Sequence, residues 1–116
     1  DDSTAQRELI AELLTDNGFS VTTANDGSQA LEKVKETLFD LIILDVVMPN
    51  LNGFQTCRKL KENPKTQHIP VILCSTKNTE VDYYWGKKQG ADAYIVKPFP
   101  PNQLVEKVRE LLGQKK

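Results

Sequence analysis

Apolar positions along the chain switch repeatedly between two periods. Leu9, Ile10, Leu13 and Leu14 recur at helical spacing before Asn17-Gly18, and Ser3 with Gln6 has capping-box spacing, so a helix is predicted over about residues 4–16. Phe19 to Thr23 alternates and is rich in β-branched residues, which predicts a strand. Asp26 then caps a second helix carrying Ala30, Leu31, Val34 and Leu38. Leu41 to Leu44 is too short for a helix and apolar on both faces, as a strand covered on both sides would be. Phe54, Cys57 and Leu60 mark a third helix, ended by Asn63-Pro64. Val71 to Cys74 is a second doubly buried strand, residues 79–89 form a fourth helix before Gly90, and Tyr94-Ile95-Val96 is a short strand. Leu104, Val105, Val108, Leu111 and Leu112 form the stripe of a last helix.

Strands and helices alternate throughout, which implies α/β architecture: a parallel sheet with helices on both faces. An alternating fold would place another strand before the opening helix. Several upstream residues are therefore expected, and without them a gap at the sheet centre and poor monomer stability.

Length and composition narrow the class. The 116 residues suit one domain, 1–116, with enough chain to bury a core. Lys and Arg total 15 against 16 Asp and Glu, so the footprint of a nucleic-acid binder is missing and partners are expected to be proteins. Cys57 and Cys74 lie in amphipathic or apolar segments without CxxC spacing, as buried reduced thiols would. No stretch is long and apolar enough for membrane insertion, and the expected location is cytoplasmic.

The chemistry gathers at the strand ends. In open parallel sheets, ligands bind outside the carboxyl ends of the strands. Asp45 ends one strand, Ser75-Thr76 follow another, Lys97-Pro98 a third, and Asp1-Asp2 would follow the expected upstream one. Carboxylates about 4 Å apart repel by roughly 4 kcal/mol at an effective dielectric near 20, so such a cluster must hold a proton or a cation. Carboxylate oxygens suit Mg²⁺, which makes Asp45 a candidate nucleophile toward phosphorus.

Asp1-Asp2, the stretch Asp45 to Gly53, Ser75 and Lys97-Pro98-Phe99, in that order, resemble the receiver domain of two-component response regulators. Leu51 to Gln55 and Trp85 to Ala91 are most similar to PilH-type single-domain receivers of twitching motility and chemosensory systems. The resemblance implies a five-stranded, flavodoxin-like sheet of order 2-1-3-4-5, here lacking its first strand. It implies that Asp45 accepts a phosphoryl group from a histidine kinase and that the chain is a switch rather than a true enzyme. Asp1, Asp2, Asp45 and the backbone carbonyl of Val47 would hold Mg²⁺. Lys97 would pair with phosphoryl oxygens and Ser75 would donate to one. Movement of Ser75 would let Tyr94 turn inward and remodel the surface read by a downstream target protein. A cis Lys97–Pro98 bond is implied too, and Val47 and Lys77 occupy positions that tune hydrolysis.

Alternative functions compete with this one. A haloacid-dehalogenase-like phosphatase would need Asp-x-Asp, but position 47 is valine. A pseudo-receiver, binding proteins without being phosphorylated, is opposed by the complete set Asp2, Asp45, Ser75 and Lys97. His68, the one histidine, precedes a strand in a polar loop and is expected to be exposed and inert. Tyr83, Tyr84 and Trp85 cannot all face one way on a helix. Val81 and Trp85 are expected in the core, with Tyr83 on a partner surface.

Overall fold

A computed structural model describes residues 2–24, 26–46, 52–76 and 79–113, with side chains from residue 5 onward. Helix α1 spans Asp2–Asp16, starting ahead of Ser3, and the side chain of Ser3, expected in a capping box with Gln6, lies outside those described. Its end is built as expected: Gly18 takes φ +94°, and the amides of Gly18 and Phe19 donate to Thr15 and Leu14. Leu9 is 64% exposed, so the buried stripe is Ile10, Leu13 and Leu14 without it.

Helix α2 (Gly27–Glu36) is capped by Asp26, which accepts from the Gln29 amide at 2.9 Å. Leu38 lies beyond this helix and is exposed. Strand β1 (Ile42–Asp45), helix α3 (Gly53–Glu62), strand β2 (Val71–Ser75), helix α4 (Glu80–Lys88), strand β3 (Ala93–Val96) and helix α5 (Pro101–Leu111) follow. Helix α3 stops at Asn63, before Pro64.

The strands pair in parallel in the order β1-β2-β3, with Leu44 opposite Leu73 and Leu73 opposite Tyr94. Every residue of β2 is buried, and its alternation feeds two cores. Ile72 and Cys74 join Leu14, Ile95, Leu104 and Val108 on the α1/α5 face. Val71 and Leu73 join Leu44, Cys57 and Leu60 on the other. Lys61 ties three segments together, donating to the Gln67 and Ile69 carbonyls and to Asp92, whose carboxylate accepts from the Val71 amide.

The expected strand over residues 19–23 does not form. Propensity favours a strand there, but a strand also needs a ladder partner, and β1 lies across a cavity of about 510 Å³ lined by Phe19, Val21, Ala30, Ile43 and Leu44. Among the described residues the sheet therefore has three strands, not four.

Candidate functional site

Three strand ends meet above β2. Asp45 closes β1, Ser75 closes β2, and Lys97 follows β3. The ladder continues past them, with the Val46 amide donating to Cys74 and the Lys97 amide to Ser75. A rigid frame thus fixes both backbones, and the Lys97 side chain crosses the end of the central strand to place Nζ 2.7 Å from Asp45 Oδ2. The Lys97 side chain is 10% exposed and that of Asp45 27%, so the pair is shielded yet still open to an incoming group. The Lys97–Pro98 bond is cis, as the resemblance implied.

The loop after β1 is closed by glycine geometry. The Gly53 amide donates to the Val46 carbonyl at 3.0 Å. A Cβ there would run into the Asp45 carbonyl and lie 2.8 Å from Val46 Cα, so only glycine lets α3 begin against the strand end. Asn52 and Gln55 then exchange reciprocal cap bonds at 2.9 and 3.0 Å.

Ser75 is 1% exposed, and its side chain shares a hydrogen bond with the Tyr94 phenol. Burial pushes the Tyr94 phenol above its ordinary pKa, against the lowering effect of that bond. The Tyr83 ring meets Tyr94 edge to face at 5.1 Å. Cys74, beneath the pair, is pushed up to about 12 by burial, and Cys57 to about 11 for the same reason, so neither offers a thiolate. Both cysteines are free and buried, and His68 is exposed, as expected.

Of the residues singled out by sequence, Asp45, Lys97, Ser75, Tyr94 and Tyr83 lie in one continuous path from strand end to surface. Asp1, Val47 and Lys77 lie outside the described residues, as does the Asp2 side chain. The backbone of Asp2 opens α1, about one helical turn before Gln6, whose Oε1 accepts from Lys97 Nζ at 2.8 Å. That contact ties Gln6, in the first part of α1, to the Lys97 ammonium. Gln6 is a site residue that the strand-end pattern does not single out, and its position one turn after an acid pair is the signal that points to it. Val81 and Trp85, expected in the core, are 62% and 45% exposed, because the opposite face of α4, with Gly86, packs on the sheet.

Fold and strand-end pair together define an α/β protein with a parallel sheet and a carboxylate–ammonium centre at its strand ends. Residues 1–109 match the response regulator receiver domain family, and the chain belongs to it. It is thus a receiver domain of two-component signalling. It is 36% identical to Protein PilH of Pseudomonas aeruginosa, over 97% of this chain and 93% of PilH. It is 38% identical to the DNA-binding response regulator MtrA of Mycolicibacterium smegmatis, but spans only 48% of that protein. The receiver domain of a signal transduction histidine kinase from Syntrophus aciditrophicus superimposes with a TM-score of 0.90 at 34% identity, covering 100% of this chain and 88% of that one. The receiver domain of sensor histidine kinase PA1611 from Pseudomonas aeruginosa, whose active-site cleft coordinates magnesium, shares the fold with a TM-score of 0.87 at 24% identity, over 95% of this chain and 90% of that one. Among the described residues, no helix is long and apolar enough to cross a membrane.

Proposed function

We propose that this receiver is a phosphorylation-controlled cytoplasmic switch in which Asp45 accepts a phosphoryl group from a histidine kinase. The observation that carries this reading is the Lys97 ammonium held 2.7 Å from the Asp45 carboxylate at the mouth of the sheet. An ammonium there holds the carboxylate in place before transfer and can pair with phosphoryl oxygens afterwards.

The step balances simply. An Asp45 oxygen forms a bond to phosphorus, the bond from phosphorus to the kinase imidazole breaks, and the electron pair leaves on that nitrogen. In-line transfer of this kind asks for alignment and charge neutralisation more than covalent help. Lys97 follows the charge from carboxylate to phosphoryl group, and the Ser75 hydroxyl donates to a phosphoryl oxygen. The donor set suits a hard divalent cation. Asp1, Asp2, Asp45 and the Val47 carbonyl would hold Mg²⁺, which when bound neutralises phosphoryl charge.

Output follows from the neighbours of Ser75. Its hydroxyl contacts Tyr94, and Tyr94 contacts Tyr83, which is 41% exposed. A phosphoryl group that bonds Ser75 in one arrangement better than another shifts this aromatic pair, and with it a partner surface for a downstream target protein. Similarity to PilH suggests twitching motility or chemosensory signalling as the setting.

Intact mass after incubation with acetyl phosphate tests the reading. One phosphoryl adduct, dependent on Mg²⁺ and lost in Asp45→Asn, is expected. A folded protein that takes up none would instead be a pseudo-receiver, acting through its aromatic surface alone.

A further inference from the structure

The Lys97 ammonium donates to two acceptors of different kinds. Asp45 Oδ2, at 2.7 Å, is an anionic oxygen at the end of β1, and Gln6 Oε1, at 2.8 Å, is a neutral one on α1. A lysine stem is flexible and its ammonium carries three rotatable donors, so a single partner fixes its distance but not its direction. The second partner, on another element, fixes the direction as well. Gln6 stands one turn before Ile10, on the side of α1 where Ile10, Leu13 and Leu14 pack with Ile72, Cys74 and Ile95. Its placement therefore depends on the same core that holds β2 and β3.

Resting on the reading of Asp45 as phosphoacceptor, we infer that Gln6 is a positioning residue for phosphoryl acceptance, which holds the Lys97 ammonium beside Asp45 without competing for its charge. A carboxylate at position 6 would divide the ammonium between two anions. It would also add negative charge to a cleft that must admit an anionic phosphoryl donor. The amide oxygen of Gln6 holds with a dipole instead, so the charge of Lys97 stays available for phosphoryl oxygens. When a phosphoryl oxygen takes over from Asp45 Oδ2, the contact with α1 persists, and the ammonium pivots about it rather than swinging into solvent.

Two measurements on the full chain test this, using Gln6→Met and Gln6→Glu. Residue 6 is exposed, so neither change touches the core. Methionine keeps the length and helix propensity of glutamine but offers only a weak acceptor, whereas glutamate keeps the acceptor and adds charge. The first measurement needs neither Mg²⁺ nor a phosphoryl donor. The rate at which N-hydroxysuccinimide acetate acetylates the Lys97 amine is followed by peptide mass, relative to Lys35, whose side chain is 70% exposed. Gln6→Met should speed it roughly three- to tenfold, as expected for loss of one hydrogen bond to an ammonium, and Gln6→Glu should not speed it. Equal rates in wild type and Gln6→Met would overturn the anchor. The second is the rate of phosphoryl uptake from acetyl phosphate with saturating Mg²⁺. Both variants should slow it roughly three- to tenfold, and Gln6→Met combined with Lys97→Ala should be no slower than Lys97→Ala alone. A wild-type rate in either variant, or slowing by Gln6→Met that persists without Lys97, would overturn the positioning role. If the wild-type protein itself takes up nothing, the reading of Asp45 fails and the positioning role falls with it, whereas the labelling rates still decide the anchor.

Discussion

At the scale of single residues, the site depends on two side chains reaching across a third strand. Lys97 is anchored by the backbone of β3 and by Gln6 Oε1, so its ammonium has little freedom to leave Asp45. Lys97→Ala should keep the fold and lower phosphoryl uptake about 100-fold, the usual order for removing a donor aimed at developing charge. Intact mass against time would measure it. Gly53→Ala should act differently, by pushing α3 off the Asp45 carbonyl. It should lower both Tm and uptake, and a variant with unchanged Tm would contradict the close approach described. The buried thiols give a pH signature. Cys74 and Cys57 have folded pKa values raised from 9.0 to about 12 and about 11, so their contribution to stability is complete below pH 9 and is lost as pH climbs through those values. Urea midpoints should therefore fall between pH 9 and 11, and less steeply in Cys74→Ala.

At the scale of elements, most of the architecture was legible because local signals and packing agree. Asp26 capped α2, Asn63-Pro64 ended α3, and the apolar runs at 41–44 and 71–74 became β1 and β2 with shifts of one residue. Cap chemistry can be tested directly: Asn52→Ala removes the acceptor for the Gln55 amide and should cost about 1 kcal/mol in denaturant unfolding. The misses have physical causes. Residues 19–23 carry a strand pattern but form no strand, since ladder formation is a tertiary event that no local pattern contains. Val81 and Trp85 shared a face as expected, but periodicity does not say which face of a helix meets the sheet. Gly86 held that information, since a glycine inside a helix marks close approach, here to Tyr94 and Leu73.

At the scale of the whole molecule, stability is unevenly distributed. Strand β2 is buried along its full length and belongs to both cores, whereas residues 19–23 join no ladder. Native-state hydrogen exchange should show β2 amides protected longest and those of residues 19–23 exchanging early. Uniform protection across both would contradict this division. The site itself was legible as a set of residue types at strand ends, because a parallel sheet delivers such positions to one crevice whatever lies between them. What the sequence did not disclose was the contact of Tyr83 with Tyr94, which depends on ring packing rather than spacing, whereas the link from Ser75 to Tyr94 was implied by the resemblance. The central claim is that Asp45 is the residue phosphorylated. It is tested most directly by treating the full chain with acetyl phosphate and Mg²⁺, trapping the acyl phosphate with borohydride, and locating the reduced residue by tandem mass spectrometry. Conversion of Asp45 to homoserine, absent without acetyl phosphate, is the predicted result. A label on any other residue, or none on a folded protein, would contradict the account.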